Sequence, residues 1–421
     1  MSVIVAPVAR RICGLDVPAV RLPFLPASVN EAWRSVAAAL RRPDETLALG
    51  DEEFAALVSL LENQLALPLF VRALGESALW AEAGEERGAA LERRCRPYIL
   101  ASALTIKEVG NVVSALVATG LHPVVLKGPA LALRFYAEPY LRPFSDLDLL
   151  FTDRAEAERA HAVLKAAGYV LQEQARGGDP WLWSRHLPEV KHPGRLLHVE
   201  CHGGLAFPPR DRRHARERVL VAELDQLDFG GCRAHVLAPE ASVINAFAHA
   251  FVRHAGEPLR LTVLLDADAV IRKEGVSFRW ERLTGLAAEA GFARATAMGL
   301  EACGELLGVS IPDTVAAWCR NVLAGGRVRS RVHGLQRVRS AGHLSGILHA
   351  DTPGGALSML FFSTFPTRAF MRWRYPEKAR WPLVMLYPYR WAVQGRKAMS
   401  LGSALISSVF RHLRPGPKGN H

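Results

Sequence analysis

Asp146 and Asp148 stand one residue apart in SDLDLLF, a stretch that alternates polar and apolar residues as a half-buried strand does. On a strand, positions i and i+2 share a face, so both carboxylates point the same way. Two carboxylates that close repel each other unless a cation lies between them. Hard oxygen donors on one face suit Mg2+ (or Mn2+), which takes one or two carboxylates and leaves the rest of its shell to water and substrate phosphates. An Asp-x-Asp spacing alone is common, and an acidic strand face turned to water explains most instances. Its neighbours shift the balance. Lys127-Gly128 closes the β-branched run VVL and opens the apolar-periodic segment ALALRFYAE, so helix-start N–H groups and a lysine charge meet where a phosphate would lie. Arg142, four residues before Asp146, is spaced to pair with a phosphate or with one aspartate.

In-line displacement at phosphorus gains from charge neutralisation on both the attacking and the leaving oxygen, so a third acid is expected. Glu200, in LLHVECH, is the best placed: a later strand, apolar flanks, and no cheap way to leave an acid unpaired there. It reads as a metal ligand or general base, or else as one end of a core salt bridge. His202 shares its face; so does His198, expected at the surface.

The elements that must position these groups follow from periodicity and punctuation. Residues 28 to about 120 read as helical, with Ser28 or Asn30 as a cap, Asp51-Glu52-Glu53 at a helix start, and a long Ala/Leu/Val run from Leu91 to Thr119 closed by Gly120. VVLK, DLDLLF, YVLQEQ and RLLHVECH read as strands, WLWSRHLPEVKHP as hairpin-like, and Arg154 to Gly168 as an amphipathic helix. From Pro239 to Gly308 the pattern is helical again. There Asp266 and Asp268 repeat the Asp-x-Asp spacing, but on a helix i and i+2 diverge by about 200°. Asp268 is therefore expected to face solvent, while Asp266 is expected to reach a nucleotide or cap a neighbouring helix. His249 and His254, five apart, read as surface or core histidines. The division expected is 1–120 helical, 121–238 an α/β core, 239–320 helical and 321–421 a basic, aromatic-rich region.

Charge is concentrated at one end. The chain carries a net +11, yet Arg320 to His421 holds 17 Lys+Arg against Asp351 and Glu377, 17 − 2 = +15. An anionic partner is implied there: RNA, an anionic membrane surface, or neither if the region packs on the core by its aromatic face. Six scattered cysteines offer no zinc spacing and no disulfide framework, and read as reduced core thiols. The most apolar stretch, Gly355 to Phe365, is too short to cross a membrane. The N-terminal apolar run precedes its arginines, so a cytoplasmic protein without a transmembrane segment is expected.

VVLKGPALALRFYAEPYLRPFSDLDLLF resembles the signature of the family described as uncharacterised nucleotidyltransferases, and HLPEVKHPGRLLHVECHGGL resembles its second block. The resemblance spans roughly residues 90 to 310. It implies an α+β, polymerase-β-like core, a small mixed sheet with helices, and metal-dependent transfer of an NMP from an NTP to an acceptor. By that resemblance Asp146 and Asp148 are the metal pair and Glu200 the third carboxylate. Lys127 and Gly128 stand where the wider superfamily has a Gly-Ser phosphate turn. Arg142 and Ser145 fit the R-x-x-S/T-D-x-D pattern of toxin-type relatives, and His186 and His202 fall on the acceptor side. Gly203 replaces an aromatic often found after the histidine. The acceptor is left unidentified by the resemblance and by the spacing alike, the candidates being a small molecule, a peptide or a protein. The alternatives are a tRNA, as in toxin-type enzymes, and a non-catalytic nucleotide-binding or scaffolding module.

Overall fold

In the computed structural model the residues described are 27–75, 85–171, 187–204, 217–253 and 260–324, with short pieces at 364–365, 371–372, 375–378 and 380–393; His186 and His254 lie outside them. Helices α1 (Ala27–Arg41), α2 (Asp51–Asn63) and α3 (Leu67–Gly75) come first. At the start of α2 the Glu53 carboxylate accepts from the Gly50 N–H at 3.2 Å, and three acids sit in the first turn, which suits a helix N-terminus. Helix α4 (Glu85–Val117) runs 33 residues, with Pro97 inside it.

The two ends of α4 serve different cores. Leu91 and Cys95 join the cluster built by α1–α3 and the later helices, whereas Val109, Val112, Val113 and Leu116 pack under the sheet. Its segment Arg87–Val117 is long and apolar enough to cross a membrane by length and composition alone, while the Gly355–Phe365 stretch lies almost wholly outside the described residues. These two packing jobs use its two ends, and between them Leu100 and Leu104 stand exposed.

A seven-stranded mixed sheet follows in the order β3-β4-β5-β2-β1-β7-β6, with β1 (Val124–Leu126), β2 (Asp146–Leu150), β3 (Val170–Leu171), β4 (Val190–Lys191), β5 (His198–His202), β6 (Leu224–Asp228) and β7 (Arg233–Leu237). β1 runs antiparallel to β2 and parallel to β7, and β2 runs parallel to β5. The β6–β7 hairpin turns through Gly230 and Gly231, both at positive φ, as a two-residue turn matched to strand twist requires.

Alternation sorts the sheet's two faces. Val125, Leu147, Leu149, Val199, Cys201 and Val236 point towards α6 (Arg154–Ala166) and the second half of α4. Val124, Leu126, Leu150 and Leu237 point the other way, towards α5 (Lys127–Phe135) and α7 (Pro239–Ala248). By the same period Asp148, Glu200 and His202 lie on this second face. Beyond α7 come a π turn (His249–Arg253), α8 (Thr262–Glu274), α9 (Trp280–Glu289), α10 (Ala293–Ala302), a second π turn (Cys303–Leu307) and α11 (Asp313–Ala324). One apolar cluster extends from Val36 to Cys319, so the first helices and those after Pro239 share a core.

Asp268 is buried, contrary to the expectation that it faces solvent. Helix α8 is packed by α5, α7 and the second π turn, so a residue rotated 200° from Asp266 still meets protein. It pairs there with Arg272, one turn on. Cys95, Cys201, Cys303 and Cys319 are buried free thiols, with burial pushing Cys201 and Cys319 up to about 12.

Candidate active site

Three strands place the chemistry in one row. Leu126 pairs with Asp148 across β1–β2, and Asp148 pairs with Glu200 across β2–β5. Neighbouring strands lie about 4.8 Å apart. Residues separated by 22 and 52 positions in the chain (148 − 126 and 200 − 148) therefore become lateral neighbours. Lys127 follows Leu126 directly, at the point where β1 becomes α5.

The backbone at that point is unusual. Lys127, not Gly128, takes the left-handed conformation, with φ of +52°. For a residue with a side chain this costs on the order of 1 kcal/mol. The turn aims the lysine back along the sheet, and Nζ lies 2.9 Å from Asp148 Oδ2. Gly128 serves a different purpose: a Cβ there would stand 3.0 Å from Phe144 Cβ, so a larger residue would require α5 and the chain entering β2 to part by a few tenths of an ångström.

Asp148 is 5% exposed and occupied on both oxygens. His202 Nε2 lies 2.8 Å from Oδ1 and 3.3 Å from Glu200 Oε2. Burial pushes the Asp148 carboxyl up, but Lys127, then His202, then His249 outweigh it and hold it well below the usual carboxylate range. His249, which the sequence placed among ordinary histidines, begins the π turn after α7 and sits half-buried within electrostatic reach of the site. Such one-turn widenings recur at functional sites.

One donor atom each from Asp148, Glu200 and His202 lie within 4.8 Å of one another. Two carboxylate oxygens and an imidazole nitrogen fit a divalent cation, with the nitrogen favouring Mn2+ more than Mg2+. Asp146 stands apart from this cluster. It is the exposed first residue of β2, contacted by the Ser145 hydroxyl, and its register partner is His198. Of the expected triad, then, Asp148 and Glu200 come together with His202, and Asp146 lies at the open end of the same face. His198 carries its own partners, Glu189 at Nδ1 and Lys191 at 3.1 Å from Nε2, neither of which was singled out from sequence.

Arg142 is committed elsewhere. Its Nε and Nη2 fork onto Asp266 of α8 at 2.8 and 2.7 Å, and Nη1 donates to the Pro143 carbonyl. The Tyr136 hydroxyl donates to the same aspartate at 2.8 Å. Burial, then Asp266, keeps that phenol far above its ordinary pKa, so it remains a neutral donor. Asp266 thus ties both ends of the segment between α5 and β2 to α8, rather than reaching out of the fold.

A family model described as uncharacterised nucleotidyltransferase matches residues 50–308. No curated protein and no solved structure matches the chain.

Proposed function

Since the chain belongs to the family of uncharacterised nucleotidyltransferases and is an enzyme of that class, we propose that it moves an NMP from an NTP to an acceptor, centred on Asp148, Glu200 and His202 and dependent on a divalent metal. The observation that carries this reading is the row in which Asp148 and Glu200 are register partners, with Lys127 closing one side and His202 the other. Carboxylates on adjacent parallel strands, faced by helices, also support a polymerase-β-like core.

In the reaction the acceptor's nucleophilic atom bonds to the α-phosphorus, the bond to the bridging oxygen of the β-phosphate breaks, and pyrophosphate leaves. A Mg2+ or Mn2+ ion held by Asp148, Glu200 and His202 would neutralise charge on the triphosphate. Lys127 lies against this row, 2.9 Å from Asp148, and engaging the phosphates requires it to leave that carboxylate. Its left-handed backbone and the amide of Gly128 at the α5 start then face the anion together. Asp146, with Ser145 beside it, adds a carboxylate at the open end, where an acceptor would enter. Arg142 acts through Asp266 by holding the segment that delivers β2. His186 is kept as an acceptor-side residue on the strength of its motif alone.

Labelling with each α-32P-NTP tests the reading. The wild-type chain should release pyrophosphate and label an acceptor, and Asp148→Asn should not. Equal labelling by the variant would contradict it. A tRNA acceptor is the second reading, resting on the +15 charge of residues 320–421. In that case the label runs with RNA, and binding weakens steeply with salt.

A further inference from the structure

In an apolar cluster separate from the two that pack on the sheet, the helix at 383–393 follows Pro382 and buries one side of itself. Leu386 is fully buried with Met371 and Tyr375, and Leu383, Tyr387 and Tyr389 pack against them. The other side is apolar as well. Trp381, Val384, Met385, Pro388, Trp391 and Ala392 are all exposed, Val384 by 76% and Met385 by 56%. The spacing i, i+3, i+4, i+7, i+10, i+11 is one helical face, and at 1.5 Å per residue it runs about 15 Å. A helix resting against its own protein turns polar residues to water; this row has no charged or amide side chain.

The rim of the face is equally specific. A tryptophan stands at each end. Trp391 lies against Phe365 and Tyr387 and donates its indole N–H to the Thr364 carbonyl at 2.9 Å, which fixes the ring. Lys378 lies over Trp381, 4.3 Å from the ring centroid, and Arg372 and Arg380 are exposed nearby in the chain. Residues 364–400 contain eight Lys+Arg and one acid, Glu377, so 8 − 1 = +7.

We infer that this face docks on an anionic lipid surface, with the helix lying in the plane of the interface. Val384, Met385, Pro388 and Ala392 enter the boundary between headgroups and acyl chains. The tryptophans sit at headgroup level, where indole is favoured, and the lysine and arginines meet the anionic headgroups. RNA is the weaker match, because aliphatic side chains offer bases neither a stacking surface nor a hydrogen bond.

The test is co-sedimentation of the full chain with vesicles of phosphatidylcholine alone and of phosphatidylcholine with phosphatidylserine. Wild type should partition to the anionic vesicles, release with salt and show blue-shifted tryptophan emission. The variant carrying Val384→Asp and Met385→Asp changes two exposed residues and should lose about tenfold or more in partitioning at an unchanged melting temperature. Arg380→Glu should weaken binding to anionic vesicles only. Wild type that stays in the supernatant with every vesicle overturns the inference, and so does equal partitioning of the double variant. Salt-steep RNA binding without vesicle binding assigns the basic charge to nucleic acid instead, and self-association abolished by the double variant, again without vesicle binding, assigns the face to a second copy of the chain.

Discussion

The chain has two Asp-x-Asp pairs, Asp146/Asp148 on a strand and Asp266/Asp268 on a helix, and the structure treats them differently. On the strand the pair shares a face but not a depth: Asp146 is exposed and Asp148 is buried between Lys127 and His202. On the helix the two diverge and both are buried, each with its own arginine, Arg142 or Arg272. The partners separate the roles. A planar guanidinium forked onto both oxygens of Asp266 is a fixed joint, whereas one lysine ammonium and one imidazole on Asp148 are contacts that a metal and a phosphate can replace.

Arg142→Ala should give the largest effect on stability. Among the described residues it leaves buried Asp266 with the Tyr136 hydroxyl alone, and loss of one partner from such a pair costs about 3–5 kcal/mol. Chemical denaturation measures this, and a loss under about 1 kcal/mol would show that the joint is not fixed. Lys127→Met should be milder for the fold, on the order of 1–2 kcal/mol. It should weaken NTP binding about tenfold or more while tightening Mn2+ binding in the absence of nucleotide, because the resident cation has gone. Calorimetric titration of each ligand reads the two shifts, and parallel shifts would break the distinction between exchangeable and fixed partners.

Lys127→Gly separates strain from charge, since it relieves the left-handed backbone and should return about 1 kcal/mol against the loss expected for Lys127→Met. The smallest effect expected is that of pH on Asp268. Burial, only partly offset by Arg272, raises its carboxyl above the ordinary 3.8. An acid raised on folding opposes folding when ionised, so its penalty is present at neutral pH and is relieved as pH falls through the folded value. Asp268→Asn should therefore be neutral or up to about 1 kcal/mol stabilising at pH 7, with the difference vanishing near pH 3. Asp148 has the opposite sign: its stabilisation is present above about 4 and is lost as pH falls below that. Melting curves across pH for the two asparagine variants should diverge accordingly.

Much of the site could be read from local pattern. The β-branched VVL, the Lys-Gly that follows it, the period-2 DLDLLF and the acid in LLHVECH each signal their element within a few residues; the three strands are neighbours in the sheet, and Lys-Gly opens α5 at the end of the first. What local pattern does not carry is register and long-range pairing. His202 shares a face with Glu200 by spacing, but its contact with Asp148 depends on β2 and β5 lying side by side. Asp266 finds Arg142 across 124 positions. Asp268 is buried against its periodicity because helical period separates the two sides of a helix without saying how many of them are covered. Gly128 drew attention as a turn glycine, yet the left-handed residue is Lys127, and the glycine answers to the proximity of Phe144, which no sequence window contains. Gly230-Gly231 is the local mark of the β6–β7 hairpin.

Mn2+ binding followed by electron paramagnetic resonance in the presence of an NTP is the most direct test of the Asp148–Glu200–His202 row. Wild type should bind beyond the metal carried by free nucleotide, and Asp148→Asn and Glu200→Gln should each lose that signal while Asp268→Asn keeps it. Undiminished binding in Asp148→Asn and Glu200→Gln would contradict the account.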